Sequence, residues 1–152
     1  LGTVLGYVTM ACIRLAIVIT ATELLFHINW GVNPLLPFLL LFAMITMVTS
    51  IGMVMGQIFK TEAAAAPVGH SFIIASAFFG GAYVTLDNLG PLGSVGKYFS
   101  LIWWANAGII NQIYNDDYSY MKTAFIIFIT GTLLLLGLSV LLMKRKEVYA
   151  NG

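Results

Sequence analysis

Charge is scarce in this chain. Only 9% of its 152 residues are Asp, Glu, Lys or Arg, 60% are hydrophobic, and mean hydropathy is +0.95. A soluble domain carries about 25% charged and about 45–50% apolar residues. Seven basic residues, six acidic ones and two histidines cannot clothe a fold of this length in polar groups, so its surface must face lipid. A net charge of +1 also excludes nucleic acid as a partner, because phosphate backbones need a dense basic face. Cysteine is nearly absent. Cys12 stands alone in an apolar run, which rules out an internal disulfide or a Cys-rich metal site and leaves a small apolar filler. Catalytic patterns are missing as well. There is no His-Glu-x-x-His, no Gly-x-Ser-x-Gly, no phosphate-binding loop and no adjacent carboxylate pair within an apolar run. The chain therefore carries no catalytic site, hydrolyses no nucleotide itself and binds no cofactor or metal. It opens on Leu1, in apolar sequence without a charged leader, which reads as a fragment with something upstream.

Long apolar runs are what the chain has. A spanning helix needs about 20 apolar residues at about 1.5 Å each. Four runs meet that requirement: Leu1–Ile28, Pro34–Phe59, Gly69–Leu86 and Tyr120–Met143. Asn29–Asn33 is a turn cluster, and Lys60, Thr61, Glu62, an alanine run and Pro67 form the next connection. The expected fold is an all-α integral membrane bundle of four transmembrane helices, a single domain over residues 1–152. Orientation follows from Lys and Arg near the span ends. Lys60 and the tail Lys144, Arg145 and Lys146 mark one side; Lys97 and Lys122 stand among Asp87, Asp116 and Asp117 on the other. Both chain ends then face the cytoplasm.

Helix faces can be read from spacing. Thr9, Cys12, Ala16, Thr20, Glu23 and His27 recur every three or four residues and share one face of the first span. Lipid offers polar atoms no partner, so this stripe should meet other helices or a wet cavity. Gly52 and Gly56 on the second span, and Ser76, Gly80, Ala77 and Gly81 on the third, have the spacing that lets backbones approach closely. Thr123, Thr130 and Gly137 repeat the device on the fourth.

Arg14 and Glu23 lie inside a span, where a charge at mid-bilayer costs at least ~2.5–3.5 kcal/mol and faces protein, water or a function. Three roles stand open for Arg14: snorkelling to the cytoplasmic side, a buried ion pair, or contact with a transported substrate. Glu23 reaches the headgroups or pairs with His27 one turn on. His70, beside Pro67 and Gly69, suits a cap or interfacial position. The tract Asp87–Tyr118 is too apolar for a solvated loop and too broken by Gly90, Pro91, Gly93 and Gly96 for a straight span. It fits a re-entrant helix-break-helix before the last span, in which Pro91 and its glycines end the third helix and Trp103 and Trp104 anchor the return arm at headgroup depth. The competing picture is an amphipathic segment flat on the surface. Burial of Val95–Phe99 among the spans distinguishes the two.

The run Gly80, Gly81, Ala82, Tyr83, then Leu89, Gly90, Pro91, then Phe99, Ser100, Leu101, Ile102, Trp104, and on through Ile109–Tyr114 to a last span and basic tail resembles the C-terminal portion of ABC-2 type transporter permeases. The chain's spans would be the family's third to sixth. Two departures stand out: the second proline common near Ile102 and Trp103 is absent, and Thr3 stands where Lys is usual. The resemblance implies a permease subunit in a cell membrane, the plasma membrane of a bacterium, paired with a second permease copy. ATP would be bound and hydrolysed on an ATP-binding cassette partner subunit, driving export of a lipid-like, drug, polymer or ion substrate. It also implies an outer re-entrant gate at Gly80, Gly81, Pro91, Trp103 and Trp104, and a polar pathway face of Arg14, Thr20, Glu23 and His27. Phe59, Lys60, Thr61 and Glu62 would touch the ATPase subunit, and Gly52 and Gly56 would pack helices. The alternatives are a non-transporting membrane scaffold or anchor subunit and, third, an ion channel.

The topology is testable by thiol labelling in a Cys12→Ala background. Asn29→Cys and Asp116→Cys should react with an impermeant reagent from outside, whereas Glu62→Cys and Lys146→Cys should react only after permeabilisation. The opposite pattern would overturn the orientation.

Overall fold

The computed structural model describes residues 2–27, 30, 33–59 and 61–150. Among them there are six α-helices and no strand: α1 Gly2–Phe26, α2 Leu35–Ile58, α3 Glu62–Phe79, α4 Gly90–Gly96, α5 Leu101–Asn115 and α6 Ser119–Ala150. Two 3-10 turns, Leu86–Leu89 and Lys97–Phe99, flank α4. Lys60 and most of the turn cluster (Asn29, Gly31 and Val32) lie outside the described residues.

α2 begins where expected. The Asn33 side chain accepts from Leu35 N–H at 3.2 Å, and Pro37 falls in the first turn, where a missing N–H costs no bond. α3 does not begin where expected. The helix placed at Gly69–Leu86 runs instead from Glu62 to Phe79. Thr61 caps it by accepting from Ala64 N–H, and the alanines that looked like a connection are the best helix formers there are. Pro67 is carried inside the helix. What stops α3 is the glycine pair, not Pro91: Gly81 adopts φ +78, open to glycine at no steric cost. Pro91 instead opens α4, where its fixed φ suits the first turn.

α2 and α6 form the centre. Gly131 on α6 sits against the Met47 side chain, and Gln57 Nε2 on α2 donates to Ser139 Oγ at 2.7 Å. Residue numbers rise together along both, so the two helices run parallel. α5 runs the other way in the angle between them, with Gly108 against Leu40 and the Met121 backbone. Leu40, Leu101, Ala105, Met121, Ala124 and Phe128 make the core. Leu101, Ala105, Gly108 and Gln112 give α5 one buried face at helical spacing. Small residues there bring α5 close to both neighbours.

α2 and α6 are the two helices long and apolar enough to cross a membrane among the described residues, and only 22% and 11% of their most apolar stretches are buried. Leu133, Leu134, Leu138 and Leu141 stand exposed around α6, whereas a core helix of a soluble protein would be covered.

Three small or polar stripes behave differently from expectation. α1 meets α2 through Ala11 and Leu15, one residue round from the polar line, which leaves Ala16, Thr20 and Glu23 exposed. No atom lies within 4 Å of a Cβ built at Gly52 or Gly56, because α3 answers in large part with Ala65, Ala66 and Gly69 and a gap remains. The Thr123 and Thr130 hydroxyls donate to Ser119 O and Ile126 O one turn back, so they need no partner helix. The spacing at Ser76 and Gly80 does mark a close approach: a Cβ on Gly80 would lie 2.8 Å from Ile102 Cγ2.

That approach creates a junction of three hydrogen bonds. Before α5 the chain is extended at Ser100 (φ −87, ψ 119), which frees the first N–H groups of the helix. Ser76 Oγ accepts from Leu101 N–H at 3.1 Å, Ser100 Oγ accepts from Trp103 N–H at 3.0 Å, and the Ser100 hydroxyl donates to Ser76 O at 2.5 Å. Both serines are buried, at 7% and 1% exposure.

Ser100→Ala removes the cap and a buried hydroxyl bond, and should lower stability by ~1–2 kcal/mol. Gly80→Ala should cost ~1–3 kcal/mol by overpacking, while Gly52→Ala should leave stability unchanged or slightly raised. Thermal melting in detergent checks all three. A loss at Gly52 equal to that at Gly80 would mean that the open α2 face is packed after all.

Candidate functional site

Two cavities lie along one face of α3 and a third lies beyond its end. The inner one, about 500 Å³, is lined by Gly52, Gly56, Phe59, Thr61, Gly69 and Ile73, among others. The middle one, about 360 Å³, lies between α1, α2, α3 and the start of α5 and includes Arg14, Val48, Thr49, Ile73, Ser76 and Leu101. The outer one, about 440 Å³, includes Gly80, Gly81, Trp103, Asn106, Asn111 and Tyr120. Gly69, Ile73 and Ser76 follow a four-three spacing, so a single face of α3 passes the first two, and Gly80, the cap of the helix, borders the third. Gly69 and Ser76 on that face are small, which is why space remains beside it.

Arg14 is the thirteenth residue of 25 in α1, half-way along, and opposite it stand mid-helix residues of α2. Around the middle cavity the other polar side chains are committed. Thr49 Oγ1 donates to Ile45 O at 2.8 Å, and Ser76 belongs to the junction that starts α5. The rest of the wall is Met44, Ile45, Val48, Phe72, Ile73, Leu101 and Ile102. Among the described residues no carboxylate pairs with Arg14. Glu23 and His27 do not form the ion pair that their spacing allows; they meet through the backbone, His27 N–H donating to Glu23 O at 3.1 Å, with His27 at φ 51. Arg14 thus stands apart from the rest of the expected polar face.

The outer gate residues are only partly gathered. Gly80, Gly81 and Trp103 share a cavity. Trp104 turns to donate its Nε1–H to Tyr98 O at 3.0 Å, and Pro91 starts α4. Trp103 centres an aromatic cluster, 4.9 Å from Trp104, 5.5 Å from Tyr98 and 6.2 Å from Tyr120, all tilted edge to face. Lys97 Nζ lies 5.1 Å from the Tyr98 ring and 5.3 Å from the Trp103 ring, within cation–π range. Val95 and Phe99 are 60% and 80% exposed. The expectation that Val95–Phe99 is buried among the spans therefore fails, and by that criterion this arm is a surface segment: α4 folds onto its own 3-10 turns and touches α3 where Gly96 abuts the Phe79 ring, and α5 is the arm that enters the bundle.

The inner group is gathered more fully. Phe59 and Thr61 share the α2–α3 cavity with Gly52 and Gly56, and Glu62 opens α3. His70 Nδ1 bonds Ala66 O at 2.8 Å, a place within its own helix. Asp116 and Asp117 have separate structural tasks. Asp116 ends α5 in the left-handed region at φ 51, and Asp117 starts α6 by accepting from Ser119 N–H at 2.9 Å and Ser119 Oγ at 2.8 Å. These bonds from the Ser119 backbone and hydroxyl, with Lys122 nearby, hold the Asp117 carboxyl below its ordinary range. A depressed folded value means that the cap contributes at neutral pH and is lost only as pH falls through it.

Two features escaped sequence reasoning. One is the Ser76–Ser100 junction, since either serine alone is unremarkable in an apolar run. The other is Gln112, 4% exposed with an unpartnered Oε1; its place four residues after Gly108 on the buried face of α5 was the available signal. Among the described residues no group of three or more His, Cys, Asp or Glu could hold a metal.

The family profile of the ABC-2 type transporter matches residues 1–114, from the start of the chain to the last turn of α5. No curated protein and no solved structure matches the chain. Apolar helices exposed to their surroundings and a profile match over most of the sequence agree: the chain is a membrane protein and belongs to the ABC-2 type transporter family, whose members work with an ATP-binding partner subunit.

Proposed function

We propose that this chain is the permease subunit of an ATP-driven ABC-2 exporter, with α1, α2, α3 and α6 crossing a cell membrane and both ends in the cytoplasm. The observation that carries it is the pair of cavities along α3, which share Ile73, with a third beyond the end of the helix at the glycine pair. Such an arrangement suits a route across the bilayer, and the start of α5 stands over its middle like a plug. At 25 residues α1 is about 37 Å long, enough for the ~30 Å hydrocarbon core. α3 has 18 residues, about 27 Å, and spans if the bilayer thins or the helix stands upright. α6 has 32 residues, so its last turns, with Lys144, Arg145 and Lys146, reach past the core, as the positive-inside rule asks of a cytoplasmic end.

On this reading α5 alone enters the bundle and closes the outer end of the route, while α4, with Val95 exposed and Phe99 exposed beyond its end, lies at the surface. The break at Ser100 adjoins mid-helix residues of α2, while Asp116 returns to the level of the α6 start. The exposed face of α4 meets lipid or a second permease copy. The exposed line of Ala16, Thr20 and Glu23 on α1 also calls for a partner outside this chain, whether a second copy or other parts of the assembly. Phe59, Thr61 and Glu62, which connect α2 to α3, are the residues we assign to contact with the ATP-binding subunit, as is Lys60 by its place in the sequence.

The test is co-purification of the full-length protein with its candidate ATPase, followed by ATP hydrolysis in the presence of lipids and drugs. A stable assembly whose hydrolysis rises several-fold with substrate is expected. Efficient expression with no ATPase bound would favour a scaffold subunit, and crosslinks to the ATPase from neither position 60 nor 62 would remove the inner loop from the contact surface.

A further inference from the structure

Arg14 presents an unusual combination. Its charge sits half-way along an apolar helix, no carboxylate among the described residues pairs with it, and it stands on the wall of a cavity of about 360 Å³ whose other polar side chains are already bonded. That volume lies in the range of small-molecule sites, about 300–1,000 Å³. A lone guanidinium beside an apolar hollow is complementary to one anionic group on an apolar tail, since the fork takes an oxyanion in two parallel bonds and the hollow takes hydrocarbon.

We propose that the middle cavity is a binding site for an anionic membrane lipid in transit, with its phosphate on Arg14 and part of an acyl chain against Val48, Phe72, Ile73 and Leu101. The proposal rests on the permease reading and names its substrate class. Depth separates a transported lipid from an annular one. An annular headgroup stays about 15 Å from the midplane of a ~30 Å core, whereas Arg14 and the residues facing it lie at the middle of their helices. A phosphate there has left the interface, and only a counter-charge makes that bearable. The same pairing offsets the cost of Arg14 itself. Ser76 in the cavity wall is the residue that starts α5, so an occupant of the cavity touches the base of the outer gate.

The experiment uses the full-length protein with its ATP-binding partner in nanodiscs of mixed phosphatidylglycerol and phosphatidylcholine, with retained lipid counted by native mass spectrometry. Wild type should keep phosphatidylglycerol over phosphatidylcholine by about tenfold, the factor that one charge-assisted contact supplies. Arg14→Gln should lose that preference and Arg14→Lys should keep part of it. Val48→Trp, which fills the hollow and leaves the charge, should reduce retention of both lipids. Equal preference in wild type and Arg14→Gln overturns the proposal. So does displacement of the lipid by inorganic phosphate with Val48→Trp unchanged, which would mark a free-anion site. If Arg14→Gln fails to assemble, the Arg14→Lys and Val48→Trp pair decides between the same outcomes. Assembly with the ATPase is read in the same spectra, so loss of lipid preference with the complex intact defeats this inference alone, and loss of the complex in wild type defeats the permease reading.

Discussion

The fold turns on one requirement: a helix that starts inside an apolar bundle must find acceptors for its first N–H groups. At the end of a soluble helix water does this. Beside Leu101 there is no water to count on, since the residues around it are buried or apolar, and an unsatisfied buried amide costs about 1–3 kcal/mol. Ser76 and Ser100 meet the requirement between them, one from α3 and one from the break itself. The bonds also fix geometry. Because Ser76 lies on α3 and Gly80 one turn on has no side chain, α5 is held at a distance that no Cβ at position 80 would allow. The position of the outer tract, the floor of the outer cavity and the roof of the middle one all follow from this contact.

Polar side chains elsewhere follow the same economy. Thr22, Thr46, Thr49, Thr130 and Thr132 return their hydroxyls to carbonyls on their own helices, which satisfies them whichever way the helix faces. A hydroxyl in an apolar helix is therefore weak grounds for a polar interface. A carboxylate or guanidinium has no such internal solution. Hence Glu23 and Arg14 demand something beyond this chain, while the threonine stripes on α6 do not.

How much of this was legible in the sequence depended on whether a local signal was also the global one. α2 and α6 were placed to within a residue or two at their outer ends, because length and unbroken hydropathy decide a spanning helix. α3 was placed seven residues late: proline was weighted as a breaker, yet four alanines and a threonine cap outweighed Pro67, and the Gly80–Gly81 pair made the stop. The tract before α6 was legible as broken helix but not in its arms. Pro91 drew attention as the break, whereas the break that matters is at Ser100, and its cause is a hydrogen-bonding partner 24 residues away. Spacing named Gly52 and Gly56 as a packing face; it could not show that α3 answers in large part with Ala65, Ala66 and Gly69, so that the two faces frame a cavity instead of a contact. Arg14 stood out in the sequence as a charge within an apolar span with three roles open to it, and what surrounds it came only from the fold.

That last point bears on how a permease tolerates its own interior. A gap between packed helices forfeits dispersion contacts along its walls, and three gaps along one helix and past its end would be a poor way to build a stable bundle. The small residues that open them (Gly69 and Ser76 on α3, Gly80 and Gly81 just past its end, with Gly52 and Gly56 opposite) are concentrated on the facing surfaces of α2 and α3 and at the end of α3. The α2–α6 contact is filled instead by Leu40, Met47, Ala124 and Phe128, with Gln57 bonded to Ser139 at its far end. Stability is thus held on one side of α2 and space on the other. A division of this kind lets α1 and α3 shift against α2 without disturbing the packed pair, and it makes the Ser76–Ser100 junction, the only hydrogen-bonded tie between α3 and α5 among the described residues, the contact that such a shift would have to break.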